Sequence, residues 1–152
     1  SAAQKREAFF GSINKEKLDT LRWSLKFGGL TPVARGSGSR TALMLAAGGG
    51  KPRALKELLE AVRYSNAIDR REMLEASDDD GRTALMHAAY APHLECAVLL
   101  REAGASETAK CERGKTARAY AEAAKNAPGK RAEAQRVVDL FDGKYDEEEE
   151  EE

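Results

Sequence analysis

The 152-residue sequence is poor in the residues on which many active sites depend. Its two cysteines and two histidines lack the spacing of a disulfide framework or a metal site. Aromatic residues make up only 6% of the chain, too few for a base-stacking surface. No apolar run approaches the roughly 20 residues of a membrane span. We therefore expect no metal, no other cofactor and no span, and we expect a reducing intracellular compartment: cytoplasm, nucleus or an organelle interior.

Charge is unevenly spread along the chain. The run from Asp146 to Glu152 holds seven of the 26 acids, so the rest carries 19 acids against 25 bases, a net charge of about +6. Such a run has nothing apolar to bury, and its composition predicts a solvated, disordered end. The alternative is an electrostatic arm that occupies the basic body or recruits a basic partner.

A short phrase occurs three times, which is the strongest signal in the sequence. It reads Thr-Ala-Leu-Met-Leu-Ala-Ala at 41–47, Thr-Ala-Leu-Met-His-Ala-Ala at 83–89 and, weakened, Thr-Ala-Arg-Ala-Tyr-Ala at 116–121. The second and third copies are 33 residues apart and the first two 42, so the first unit carries an insertion of nine. A repeat of this length predicts stacked helix-turn-helix units.

Each part of the phrase has a physical role. The threonines can cap the first free amides of a short helix. The paired alanines allow that helix to lie close to its neighbour, and leucines in the following segments predict a second amphipathic helix. Pro52, Pro92 and Pro128 fall where the second helices begin. Gly104 falls where one of them ends.

Three segments carry a family resemblance: 80–89 (Asp-Gly-Arg-Thr-Ala-Leu-Met-His-Ala-Ala), Pro92-His93-Leu94-Glu95, and 99–105 (Leu-Leu-Arg-Glu-Ala-Gly-Ala). Together they resemble the ankyrin repeat. The resemblance implies an all-α ankyrin-repeat solenoid of about four helix-turn-helix units, two clear internal repeats and two divergent terminal caps. We expect an ankyrin repeat domain over 1–145, with units near 4–35, 36–77, 78–110 and 111–143, and an acidic tail over 146–152.

The resemblance also implies where a partner would bind. By its register one position of the phrase points into the concave groove, which predicts a row of Leu45, His87 and Tyr120 with Tyr90 close by. A basic residue precedes each threonine, which predicts a second row of Arg40, Arg82 and Lys115 on successive turn tips. Arg113 adds positive charge to the same edge. The alternative for each is an ordinary packing residue or a solvated surface charge. Met44 and Met86 replace the histidine usual in the family, which should remove a hydrogen bond from these turns.

The insertion predicts a second surface. Asp69 and Glu72 are spaced as a capping box, so we expect a longer second helix and a short extra helical turn. Extra residues in repeat proteins lie on one face, often the binding face. Tyr64 and 70–74 are therefore a second candidate patch, with a plain spacer as the alternative.

Catalytic motifs are weak. Residues 109–116 approach the phosphate-binding loop pattern, but Ala109 replaces its first glycine and no buried strand precedes it. No serine or cysteine lies in a nucleophile motif. We expect no catalytic residues and no enzyme activity.

These features favour a protein-protein interaction module or scaffold. We expect a monomeric domain whose partner is a protein or peptide that carries acidic groups. Because the chain begins at Ser1 without an initiator methionine, we expect it to be part of a larger protein. The alternatives are polyanion or nucleic-acid binding by the basic body, which the aromatic content disfavours, and binding of a basic partner by the acidic tail. Family resemblance alone names no partner.

Overall fold

The computed structural model describes residues 1–144, so the predicted acidic tail at 146–152 lies outside the described residues. Within residues 1–144 the chain forms nine α-helices and no strand; a single β-bridge joins Arg35 to Thr41. The helices are α1 Ala2–Asn14, α2 Leu18–Lys26, α3 Ala42–Gly48, α4 Pro52–Arg63, α5 Ala67–Glu75, α6 Ala84–Tyr90, α7 Leu94–Glu102, α8 Ala117–Ala124 and α9 Arg131–Phe141.

Four helix pairs stack side by side, which confirms the predicted solenoid. The first helices of the pairs form one layer in the order α1, α3, α6, α8, and the second helices form the other in the order α2, α4, α7, α9. The insertion forms α5, which packs against α4. Each pair contacts the next, so one apolar core runs through the stack.

The threonines cap the first helices as the phrase predicts. The hydroxyl of Thr41 accepts from the amide of Met44 at 3.2 Å, and the equivalent bond from Met86 to Thr83 is 3.5 Å. The expected loss of a hydrogen bond at the methionines does not occur. The amide of each threonine donates to a methionine Sδ, at 3.5 Å in both helices. Sulfur is a weak acceptor, but it completes a reciprocal cap.

The paired alanines make the close contacts between units. Ala46, Ala47, Ala88 and Ala89 are fully buried between α3, α6 and α8. Small side chains let neighbouring backbones approach and fill the space without voids. At the amino end the core is closed by Phe9 and Ile13 of α1, which the sequence reading did not identify because α1 lacks the phrase.

One of the three prolines predicted at the starts of second helices is there: α7 begins at Leu94, two residues after Pro92, and α9 at Arg131, three residues after Pro128. Pro52 is the first residue of α4, where its missing amide proton is not needed. Gly104 follows α7 with φ of +102°. The capping prediction for the insertion is wrong by three residues: α5 begins after Asn66, whose side chain accepts from the amide of Asp69 at 2.9 Å. Asn66 has the extended backbone that a capping residue needs, whereas Asp69 is already helical.

Acidic side chains tie neighbouring units together at helix starts. The carboxylate of Glu16 accepts from the amides of Arg53 and Ala54 in α4, at 3.1 and 3.3 Å. Glu133 of α9 accepts from the amide of Leu94 in α7 at 3.3 Å. The first amides of a helix have no partner within it. These carboxylates therefore satisfy them from an adjacent unit and fix the stacking of the outer layer.

Candidate functional site

Three turns, each leading into a first helix, have the same closing hydrogen bond. The amide of Gly36 donates to the carbonyl of Arg40 at 2.9 Å, and the same bond, 3.0 Å long, joins Asp78 to Arg82 and Cys111 to Lys115. The basic residues thus occupy one position in successive turns. The residue just before each has positive φ: Ser39, Gly81 and Gly114.

The three cations of this row differ in their surroundings. Arg82 pairs with Asp80 at 2.6 Å and with Asp78 at 3.4 Å, and 23% of its side chain is exposed. Arg40 is exposed and forms no ion pair within residues 1–144. Lys115 is also exposed, with its Nζ 5.9 Å from the centroid of the Tyr120 ring. Among the described residues, the predicted row is therefore neutralised at its centre and keeps exposed positive charge at its two ends.

A pocket of about 630 Å³ lies between the first two turns and the first helices. Three of the predicted contact residues, Arg40, Leu45 and Arg82, line it together. Its remaining walls come from α1, from the first turn and from three consecutive aspartates: Phe10, Asn14, Gly36, Ser37, Gly38, Asp78, Asp79 and Asp80. Phe10 was not predicted. The ring of Phe10 covers Gly36, where an added Cβ would approach it to 3.3 Å.

His87 does not lie on the groove surface as the register predicts. Only 9% of it is exposed, and its Nε2 lies 2.9 Å from Oδ2 of Asp78. The other carboxylate oxygen of Asp78 accepts from the amides of Asp80 and Arg82, at 3.0 and 2.9 Å. His87 therefore joins α6 to its turn instead of facing a partner.

Burial and hydrogen bonding set the charges of this pair. Burial lowers the pKa of His87 and outweighs the opposing attraction of Asp78. Burial acts to raise the pKa of Asp78, but hydrogen bonds from the Arg82 amide, from His87 and from the Asp80 amide outweigh it, so the pKa lies below its ordinary value. Asp78 is thus held as the carboxylate that the turn needs.

Tyr120 is the equivalent of His87 in the next unit, and it is also buried, with 8% exposed. Its hydroxyl donates to Sγ of Cys111 at 3.2 Å. Burial, together with this bond, raises the pKa of Tyr120 to about 12. The exposed member of the predicted group is Tyr90, which is 59% exposed and packs edge-on against Tyr120, with ring centroids 5.9 Å apart.

The predicted residues therefore separate into two groups. The first group has atoms at the surface or in the pocket: Arg40, Leu45, Arg82, Tyr90, Arg113 and Lys115. The second group, His87 and Tyr120, is buried and bonds to the turns. The sequence reading missed Asp79 and Asp80 as pocket walls, although their position beside the aligned turn was a usable signal. Phe10 offered none, because α1 does not align with the phrase.

Within residues 1–144, no group of three or more histidine, cysteine or acidic side chains is arranged to hold a metal ion. No helix in this part of the chain combines the length and apolar character that crossing a bilayer demands.

Comparison with known proteins agrees with the geometry. The family description of three copies of ankyrin repeats matches residues 10–126. No curated protein matches the sequence. A chain in the crystal structure of the yeast ribosomal protein Rps3 in complex with its chaperone Yar1 superimposes with a TM-score of 0.76, at 22% identity and with 95% of each chain covered. Such identity shows a shared fold. The matched repeats cover most of the sequence, and the chain belongs to the ankyrin repeat family.

Proposed function

We propose that this domain is a non-enzymatic, monomeric interaction module that binds a protein or peptide in its groove. The observation that carries the proposal is the pocket between the first two turns, where Arg40, Leu45 and Arg82 come together from two successive units. The ankyrin family and the chaperone complex of similar fold support a protein as the partner.

The pocket offers a partner both charge and apolar surface. Leu45 and Phe10 are half-buried and form an apolar floor. Arg40 and Asp79 are exposed above it and form no ion pairs within the described part of the chain. A segment that combines an apolar side chain with charged neighbours fits these walls. Charge complementarity of this kind sets orientation and rate of association.

A second contact continues the groove towards the carboxyl end. Tyr90 lies one helical turn beyond His87 in α6, and its exposed ring rests on Tyr120 with Lys115 nearby. A rigid, partly exposed tyrosine is a common centre of binding energy. We propose that the partner covers Tyr90 and presents acidic groups to Lys115, Arg113 and Arg40.

The test uses paired variants in the full chain. Arg40→Glu and Tyr90→Ala change the groove, whereas Arg63→Glu and Phe27→Ala change exposed residues at the ends of α4 and α2 and serve as matched controls. Binding partners are compared quantitatively by affinity purification and mass spectrometry, then confirmed by calorimetry. Loss of a groove contact should weaken a specific partner about tenfold or more, equal to about 1.4 kcal/mol. Equal effects of groove and control variants contradict the proposal.

A basic partner held by the acidic run 146–152 is the second candidate, and its seven carboxylates are the observation that favours it. Because the similar crystal structure pairs a chaperone with a ribosomal protein, a ribosomal protein is a suitable first partner to test. Exchange of Glu147–Glu152 for glutamine should abolish such binding and leave groove binding intact. A polyanion is disfavoured, because Asp78 and Asp80 neutralise Arg82 in the centre of the basic row.

A further inference from the structure

The nine-residue insertion builds a second pocket, of about 460 Å³, on the outer side of the stack. One wall is α5 and the other is the segment that follows α7. The pocket is lined by Ala67, Arg70, Arg71, Leu74, Glu75, Ala103, Gly104 and Ser106. The groove proposed above lies against the first helices and shares none of these residues.

The charge of this pocket is unbalanced. Arg70 and Arg71 are exposed and form no ion pair within residues 1–144. The single acid that lines the pocket, Glu75, is already engaged, since it accepts from the amide of Ser106 at 2.8 Å. Leu74 is 96% buried and provides an apolar floor. An occupant with several carboxylates fits such a site.

The end of α9 is bonded to α7, and the last turn of α7 leads into this pocket. The guanidinium of Arg101 donates to the carbonyl of Leu140 in the last turn of α9, at 3.1 Å. Arg101 lies in the last turn of α7, two residues before the pocket wall at Ala103. α9 packs directly on α7, and neighbouring helix axes are about 8–10 Å apart. Residues 145–152 could extend about 26–29 Å, so they can reach Arg70 and Arg71.

We propose that the acidic run 146–152 of the same chain occupies this pocket, with its carboxylates paired to Arg70 and Arg71. The run itself lies outside the described residues. The proposal therefore stands on three observations: two arginines in one pocket without an ion pair inside residues 1–144, the bond that joins the end of α9 to α7 next to that pocket, and the seven consecutive acids that follow. The insertion then serves as a receptor for the chain's own acids, independent of the groove.

Carbodiimide coupling in the full chain tests the proposal. The reagent condenses a carboxylate with a lysine amine into an amide and releases the oxygen as the urea by-product, so it reports direct contact. Arg70→Lys and Arg71→Lys place amines in the pocket with charge retained. Arg63→Lys places one on neighbouring α4, and the native Lys110 provides an internal control.

Mass spectrometry should find the acidic run coupled to positions 70 and 71 with a yield about fivefold or more above that at Arg63→Lys or Lys110, because a docked segment has a raised local concentration. High salt should remove the difference, and Arg40→Glu in the groove should not. A mixture of light and isotope-labelled chains should give coupling within single chains.

Three results overturn the proposal. One is equal coupling at positions 63, 70, 71 and 110, which indicates a run that contacts no preferred surface. Another is preferred coupling to Lys110 or Lys115, which places the run on the third turn. The last is coupling between light and labelled chains, which makes the occupant a second copy. None of these bears on the groove variants, so failure here is distinct from failure of the proposed function.

Discussion

Tyr120 donates its hydroxyl to Sγ of Cys111 in the same place where His87 bonds to the carboxylate of Asp78 one unit earlier. In both units the first residue of the turn bonds to the fourth residue of the following helix. The first unit has Gly36 and Leu45 at these positions, and the ring of Phe10 fills the space beside Gly36. The two positions thus change as a pair from unit to unit.

Cys111→Asp should therefore stabilise the domain. The amides of Arg113 and Lys115 face Sγ as the amides of Asp80 and Arg82 face the Asp78 carboxylate. A carboxylate accepts such bonds more strongly than sulfur does, so we expect a gain of about 1 kcal/mol. This corresponds to a rise in Tm of about 2–4 °C, measured by calorimetry. The reverse exchange, Asp78→Cys, should cost about 1–3 kcal/mol; a gain there, or a loss from Cys111→Asp, would contradict the equivalence.

The stability of the domain should fall on mild acidification. Because burial lowers the pKa of His87 from its ordinary 6.5, the unfolded chain binds more protons between that value and the folded pKa. Unfolding free energy should then decrease as the pH falls below about 6.5. His93 has a pKa lowered by burial too and adds to the same slope.

Urea denaturation from pH 8 to pH 5 measures this slope. His87→Gln retains a donor to Asp78 and should reduce the slope, and a second change at His93→Gln should remove the rest. Below this range the lowered pKa of Asp78 adds a further loss of stability as its carboxylate is protonated. A slope that is the same with and without His87 would show that His87 does not carry it.

Ser39→Gly should stabilise the first turn. Ser39 has φ of +58°, at the position where the other two turns have Gly81 and Gly114 with φ of +75° and +73°. A non-glycine residue in the left-handed conformation costs about 1–2 kcal/mol. Glycine removes this strain, but the greater flexibility that it gives the unfolded chain offsets part of the gain. A net gain of about 0.5 kcal/mol is expected in urea denaturation. Ser37→Gly, at a residue without positive φ, should give no gain, and a similar gain from both would contradict the reason given.

Glu16→Ala should loosen the contact between the first two units. It removes the carboxylate that accepts from the amides of Arg53 and Ala54, and the loss of such a cap costs about 1 kcal/mol. Glu16→Gln retains an acceptor and should cost less. Glu7 is exposed on α1 and caps no helix within residues 1–144, so it is the control, and Glu7→Ala should leave the unfolding free energy unchanged. Hydrogen exchange of the α4 amides provides a local measurement; unchanged protection there would refute the role.

Most of the architecture could be read from local signals. The capping threonines, Pro52 and Gly104 act within a few residues of themselves, so their effects do not depend on distant parts of the chain. The misjudged cap of the insertion lies where two local choices compete. Asn66 and Asp69 are both good caps by residue type, and Asn66 is the one with an extended backbone before α5.

The repeated helix pairs, their caps and the charge of successive turns can be read from the amino-acid sequence, because they follow from short-range bonding and from periodicity. The burial of His87 and Tyr120, the position of Phe10 in the pocket beside Arg40, and the pocket that Arg70 and Arg71 share with the segment after α7 come from the packing of the units. These relationships join residues from different units. They depend on how closely the units stack, which is a property of the whole stack and of no single phrase.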